Sequence, residues 1–436
     1  MNGIHPDLRR YVEEIARQLQ AKECRDEIME ELSGHLEELM ESRKAEGAND
    51  EEAARWAVAQ MGETREVAHG LNRVHRPRVP WSMLGALAAV LAIAIVSLFS
   101  VQTSFQGRGG MEGVDFVGRH ALFIGIGSVL LFAFSLIRYR RLLCAPLALY
   151  GATVALMAAA FVWGPQINGA SKYLQVGPIL LNVMQASPYL LIVSAAGALV
   201  RSQDRWRDVI RHTVCFTAVP IALLVKAPSF SDLFLYSSAY AFLLLVSGKS
   251  RRWAAAHILL SAGAFAAYLA ASWHGRLRLE AYLDRYDASS DAAYMYIKID
   301  EALRSAGWLG HGFGAAARQL PYIYSETILT YLIYSLGWAF GLLSLLVIAW
   351  FVALLIRAAS SVKDPFGRLL AVGLGAVLTI QFVWSIGMSL GLLPIIGVTL
   401  PLISYGGSAL LAQFAAIGII CGVYVRKDMV PFAASH

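Results

Sequence analysis

The sequence has 436 residues, 57% of them hydrophobic and only 16% charged, with a formal net charge of +6. A soluble chain carries about a quarter charged residues, and here apolar runs long enough to cross a hydrocarbon core of about 30 Å recur from residue 82 onward. A soluble enzyme is excluded in favour of an all-α, polytopic membrane protein. The basic excess sits between the apolar runs, where it reports topology rather than a nucleic-acid partner.

The chain begins MNGIHPDLRRYVEEIARQLQ, charged and amphipathic, without the apolar stretch of a secretory signal. Leu8, Tyr11, Val12, Ile15 and Leu19 recur at helical spacing, and DEIMEELSGHLEELMESRKAEG keeps the same period. GANDEEAARWAVAQMG reads as a third helix, with Asn49 as N-cap, Glu52 three residues on and Gly62 as stop. A fourth helix over about 63–74 leads to HRPRVPW, whose prolines break it and whose Trp81 marks a membrane interface. Residues 1–76 are thus expected to form a cytoplasmic helical domain and 77–81 a linker. YVEEIARQL, EELSGHLEEL and EEAARWAVAQMGETREVAHGL resemble the small HAAS or permease-prefix domain. That resemblance implies regulation or the binding of a cytoplasmic partner, which the sequence does not name. His35, alone on a charged helix, is expected at the surface. Cys24, Cys144, Cys215 and Cys421 lack metal-ligand spacing, and no disulfide is expected.

About ten spans follow by length and hydropathy, near 82–104, 118–137, 142–164, 178–200, 208–226, 232–248, 253–273, 326–356, 367–390 and 402–425. Basic residues mark alternate connections: Arg76/Arg78, Arg138/Arg140/Arg141, Arg201/Arg205/Arg207/Arg211, Lys249/Arg251/Arg252, Arg357/Lys363/Arg368 and Arg426/Lys427. Ten spans with both termini cytoplasmic satisfy them all, leaving residues 428–436 as a cytoplasmic tail. The connection over 274–325 is long and is expected to be functional. It ends at Glu326, on the extracytoplasmic side.

Two stretches carry a resemblance. In GMSLGLLPIIGVTLPLISYGGSALLAQFAAIGI, Pro394, Gly397 and Pro401 break helix geometry where the chain turns back, and Gly406 and Gly407 permit close backbone approach. Locally that reads as a tight turn with packing glycines; the whole string resembles the SEDS family (FtsW, RodA and SpoVE). In SAGWLGHGFG followed by LPYIYSETILTYLIYSLGWAFG, Gly307, Gly310 and Gly312 match the family's glycine-rich loop. Leu320 and Pro321 match its Leu-Pro pair, and Leu336 and Gly337 its Leu-Gly ending. Glu326 falls on the family's essential aspartate, with Tyr324 and Ser325 for the usual histidine and threonine. NGASKYLQVGPILLNVMQASP agrees at Gly169, Ala170, Lys172, Gly177, Gln185 and Ser187, with Pro188 for a usual glutamate. In KAPSFSDLF, Pro228 matches and Ser229 replaces a common aspartate. The resemblance covers about residues 85–427, and the membrane domain is placed at 82–427.

The resemblance implies a membrane glycosyltransferase that polymerises lipid II into peptidoglycan, with a class B penicillin-binding protein transpeptidase as partner and membrane lipid around it. An acceptor sugar hydroxyl attacks the donor's anomeric carbon, which calls for a general base, assigned to Glu326. A helix dipole would favour its ionised form and burial its protonated form. Cations must offset the departing pyrophosphate: Lys172, and Arg276, Arg278 and Arg318 of the long loop. Gln185, Ser187 and Ser325 join the candidate substrate-binding set, as do Ser404, Tyr405, Gly406, Gly407 and Ser408. No cofactor is evident, and a divalent cation stays open. Two alternatives stand beside this reading: an inactive SEDS relative that binds lipid II or a transpeptidase as a scaffold, and a lipid-linked precursor flippase.

Overall fold

The computed structural model describes residues 5–19, 25–74, 79–106, 113–167, 170–177, 179–285, 293–317 and 319–427. Cys24, Gly169, Arg318, two residues of the expected linker (77 and 78) and the tail 428–436 lie outside the described residues. The chain divides into two compact units, one comprising residues up to Val79 with 362–364 and the end of the chain, the other Pro80–Ser361 with Pro365–Val423.

In the first unit four helices, α1 (Pro6–Gln18), α2 (Arg25–Ala45), α3 (Asp50–Met61) and α4 (Thr64–Val74), enclose a small core. Leu8, Val12, Ile15 and Leu36 are fully buried there, one helical face each turned inward as the period required. Asn49 caps α3 by accepting from the Glu52 amide at 2.8 Å, and Gly62 ends it at φ +88°. The Tyr11 hydroxyl donates to the Gly62 carbonyl at 2.8 Å, tying α1 to that C-terminus. His35 is exposed.

The second unit is a helical bundle. Its elements are α5 (Trp81–Phe105), α6 (Phe116–Leu136), the short α7 (Arg140–Cys144), α8 (Pro146–Trp163), a hairpin of β1 (Tyr173–Val176) and β2 (Ile179–Asn182), and α9 (Val183–Arg201). Then come α10 (Trp206–Thr213), a π-helical turn (Val214–Ala218) and α11 (Val219–Lys226), which together make one crossing. The remaining helices are α12 (Phe230–Val246), α13 (Arg251–Ala271), α14 (Trp273–Leu283), α15 (Tyr294–Ser305), α16 (Ile328–Ser360), α17 (Pro365–Ser389) and α18 (Gly407–Val425). Among the described residues nine helical segments are long and apolar enough to cross a membrane, and the shorter apolar α12 is a tenth. These are the ten expected crossings.

Helix α9 stands at the centre, with 72% of its apolar stretch buried against 17% for α6 and α13 at the rim; it packs on α8, α12 and α17. Pro188 lies inside α9 and cannot donate to the Met184 carbonyl four residues back. The Ser187 hydroxyl donates to that carbonyl instead, at 2.8 Å. The break in the ladder is thereby satisfied within the helix.

Two features depart from expectation. The segment 274–325 is not a structureless loop, since α14 and α15 lie within it. The apolar run from Ile328 to Ser360 is not one straight helix either: Gly337 sits at φ 85°, ψ 171°, outside helical geometry. The amide and carbonyl groups released at that break are taken up by the glycine-rich loop. Gly312 N–H donates to the Ser335 carbonyl at 2.9 Å, and Trp338 N–H to the Gly307 carbonyl at 3.0 Å. Glu326 falls in the turn that precedes α16, two residues before its first helical residue.

Candidate active site

Residues 321–327 form consecutive turns, with Tyr322 held at φ +56°. A non-glycine residue there is strained unless its surroundings impose the conformation, and the contacts around it do so. The Thr327 hydroxyl donates to the Pro321 carbonyl at 2.6 Å, and Ser325 N–H to the Tyr322 carbonyl at 2.9 Å. From the α17–α18 connection, the Ser404 hydroxyl donates to the Ser325 carbonyl at 2.7 Å and Tyr405 N–H to the Tyr324 carbonyl at 2.9 Å. The Ser389 hydroxyl reaches the Glu326 carbonyl at 3.3 Å. Every residue from Tyr324 to Glu326 is thus gripped through its backbone, leaving the Glu326 side chain to project.

The 390–406 segment that holds Glu326 is itself held from two directions. Tyr282 of α14 donates to the Leu392 carbonyl at 3.2 Å, Arg278 to the Ile396 carbonyl at 3.4 Å, and the Tyr296 hydroxyl of α15 accepts from Ile395 N–H at 2.8 Å. From the bundle interior, Gln413 accepts from Leu402 N–H at 2.9 Å and Gln381 donates to the Thr399 carbonyl at 3.1 Å. Leu402 has φ +64°, a second strained non-glycine residue beside the site. The helices of the long connection therefore act as a brace for the turn that carries the carboxylate.

Glu326 is half-buried. Burial pushes its carboxyl above the ordinary glutamate value, opposed by the positive charges of Arg278 and then Lys172. Burial prevails. Lys172 is pushed below the ordinary lysine value by burial; Asp232 and Glu326 act to raise it and Arg278 to lower it. A Cβ added to Gly397 would lie 3.4 Å from Glu326 Oε1, so the backbone there runs against the carboxylate. A polar pocket adjoins it, lined by Gln185, Tyr189, Asp232, Gly397, Thr399 and Gln413 among others.

Of the candidate residues, Arg278 bonds beside the backbone that abuts Glu326, Lys172 and Glu326 each act on the other's ionisation, and Gln185 lines the adjoining pocket. Ser325, Ser404 and Tyr405 contribute through the backbone bonds just given. Ser408 accepts from Asn182 N–H at 3.0 Å, fastening the hairpin to the start of α18. Gly407 is needed for packing, because a Cβ would lie 2.4 Å from the Phe123 ring, whereas a Cβ on Gly406 would meet nothing within 4 Å. Two residues do not come to the site. Ser187 is fully buried with its hydroxyl bonded to Met184, as the proline beside it requires. Arg276 lies two positions from Arg278 on α14, so the helix turns the two to different faces. Among the described residues no group of three or more His, Cys, Asp and Glu is placed to hold a metal ion.

Asp232 was not among the sequence candidates. It is only 5% exposed, in the first turn of α12, and its signal in the sequence is simply an ionisable residue in an apolar run.

Residues 80–428 match the profile of the FtsW/RodA/SpoVE family, described as cell cycle proteins. The chain is similar to the probable peptidoglycan glycosyltransferase FtsW of Thioalkalivibrio sulfidiphilus, with 26% identity over 374 residues covering 83% of this chain and 93% of that protein. It is 29% identical over 362 residues to the protein of the same name from Nitrosococcus halophilus, covering 80% and 92%. Its fold is like that of a chain from a peptidoglycan synthase complex studied for coordination of polymerization and crosslinking, at a TM-score of 0.64 and 24% identity, covering 79% of this chain and 97% of that one. It is also like the rod shape determining protein RodA of Thermus thermophilus, at a TM-score of 0.58 and 23% identity, covering 80% and 97%.

Proposed function

The chain belongs to the FtsW/RodA/SpoVE family, and from that membership we propose that it is a peptidoglycan glycosyltransferase, polymerising lipid II with Glu326 as general base. It is a multi-pass membrane protein of the bacterial kind. We place both termini in the cytoplasm and Glu326 at the outer face of the cytoplasmic membrane, on the alternation of basic connections. A class B penicillin-binding protein transpeptidase is the partner this reading implies.

The observation that carries the reading is one half-buried carboxylate held in a braced turn, with Arg278 bonded to the Ile396 carbonyl beside the Gly397 backbone that runs against it and the charge of Lys172 felt at the same group. The carboxylate takes the proton of the acceptor sugar hydroxyl as its oxygen attacks the donor's anomeric carbon. The bond from that carbon to the pyrophosphate oxygen breaks, and the polyprenyl pyrophosphate leaves with the electron pair. A carboxyl held above its ordinary value is a stronger base than an exposed glutamate. Lys172 and Arg278 are charges fixed in advance where the leaving group develops its own.

The test is polymerisation of fluorescent lipid II by the full-length protein, alone and with its transpeptidase, beside Glu326→Gln. Glycan strands from the parent and none from the variant support the reading. Lipid II binding without polymer from the parent would instead establish a scaffold.

A further inference from the structure

The glycine-rich loop between α15 and α16 hides its backbone and shows its apolar side chains. Its polar groups are spent on both sides of the break at Gly337. His311 N–H donates to the Tyr334 carbonyl at 3.0 Å before the break, and Ala339 N–H to the Trp308 carbonyl at 3.2 Å after it. Gly314 N–H donates to the Ser100 hydroxyl of α5 at 3.0 Å, and the His311 ring lies on Tyr334 with centroids 4.3 Å apart. Trp308 and Leu309, by contrast, are 70% and 84% exposed. Phe313 is exposed as well and meets the exposed Phe99 of α5 at 5.4 Å. From residue 305 to 317 the sequence has no Asp, Glu, Lys or Arg. A patch of this kind is costly in water. Irregular backbone can enter a hydrocarbon boundary when protein takes up its polar groups, as α16 and α5 do here.

Two helices that touch the loop fix its level. Phe99 lies eighteen residues beyond Trp81, the interface residue at the other end of α5, or about 27 Å at 1.5 Å per residue. Gly337 lies twenty residues before Arg357 in the last turn of α16, or about 30 Å by the same rise. A hydrocarbon core is about 30 Å thick, so both helices put the loop at the boundary opposite Trp81. The break also divides α16 by environment. Residues 328–333 before it are fully buried, whereas Leu342, Leu343 and Leu346 after it are exposed.

We infer that residues 307–313 form a membrane-inserted wedge, with Trp308 and Leu309 lodged in the lipid at that boundary. The occupant of the patch is a lipid surface, because two separate crossings set it at that depth and an indole suits the interface. Through the bonds that seal the break, the wedge ties the level of α16, and of the turn before it that carries Glu326, to the bilayer. Calling this boundary the outer one rests on the topology proposed above; the insertion itself does not.

The test places a nitroxide on Leu309→Cys in the full-length chain, with Cys24, Cys144, Cys215 and Cys421 replaced by alanine. The purified protein is reconstituted into phosphatidylethanolamine and phosphatidylglycerol vesicles. Collisions of the label with oxygen, which enters lipid, are compared with those of a water-soluble nickel chelate. Leu346→Cys, exposed on α16, is the lipid control, and Arg304→Cys, whose side chain is 78% exposed on α15, is the water control. The oxygen-to-nickel ratio at Leu309 is expected to lie several-fold above that at Arg304 and close to that at Leu346. A ratio equal to that at Arg304 overturns the proposal and leaves the patch for a protein partner. Should the cysteine-free chain not fold, the parent and Trp308→Phe decide in vesicles containing brominated lipid. The emission lost with Trp308 should be quenched by the bromine, and emission untouched by it overturns the insertion. Failure of the topology appears separately, as labelling of Arg304→Cys by an impermeant maleimide only after cells are permeabilised.

Discussion

The Ser404 hydroxyl donates to the Ser325 carbonyl at 2.7 Å, joining the α17–α18 connection to the residue before Glu326. The same hydroxyl accepts from Leu400 N–H at 2.9 Å, so one side chain fixes both the turn of 321–327 and the segment that braces it. Ser404→Ala removes both bonds while the Tyr405 to Tyr324 backbone bond remains. The carboxylate should be loosened rather than lost. The expected outcome is a fall of roughly 10- to 100-fold in kcat for lipid II polymerisation, with KM little changed. A fall confined to KM would place Ser404 on the substrate instead.

Glu326 carries one methylene more than the aspartate its family usually has, and the backbone around it is shaped to that reach. Gly397 approaches Oε1 closely, and bonds from Ser389, Ser404 and Tyr405 fix residues 324–326. Glu326→Asp withdraws the carboxylate by about 1 Å without changing its charge, which should lower kcat roughly 10²-fold. Glu326→Gln should abolish polymerisation. Parent-like or faster turnover by Glu326→Asp would mean the surrounding turn is not adapted to glutamate.

The pH dependence follows from the two shifts outside the membrane-spanning segments. Glu326 must be ionised to accept a proton, and its carboxyl is held above the ordinary value. Activity therefore falls as pH drops through that raised value, earlier than for an exposed glutamate. Lys172 must be protonated to offset the leaving group, and its ammonium is held below the ordinary lysine value. Activity falls as pH rises through it, so the two limbs of the bell are drawn together. Lys172→Arg, whose guanidinium does not titrate in this range, should extend the alkaline limb of kcat to higher pH. An unmoved limb would assign it to another group.

The ten crossings could be read from the sequence because length and hydropathy report them directly, and the Asn49 cap because its chemistry is local. Glu326 and Lys172 were reached through matched motifs, and each acts electrostatically on the other. What escaped were features set by backbone geometry or by distant packing. Hydropathy cannot distinguish a straight helix from one broken at Gly337. Ser187 read as a site residue until Pro188 was seen to need its hydroxyl. The long connection was taken as loop, so Arg276 and Arg278 were weighed alike, although a helix separates their faces. Ser229 was noted as replacing a common aspartate, while Asp232, one turn later, was passed over.

Gly337 and Gly406 make a matched pair for testing which glycines the fold requires. Gly337 has φ +85°, and a Cβ there would lie 2.2 Å from the Trp308 carbonyl oxygen. Gly310 meets it from the other side, where a Cβ would lie 2.5 Å from Gly337 N. The two backbones touch, and neither glycine can take a side chain without opening the hydrogen bonds that seal the break in α16. Gly337→Ala should cost well over 1 kcal/mol, since alanine at positive φ is strained even before the clash. The melting temperature of the purified protein should fall by several degrees, or folded protein should not be recovered. Gly406 is not in the left-handed region and has open space where its Cβ would go, so Gly406→Ala should leave the melting temperature unchanged. If Gly406→Ala keeps its stability but loses polymerisation, that glycine serves close approach to the lipid-linked substrate rather than the fold.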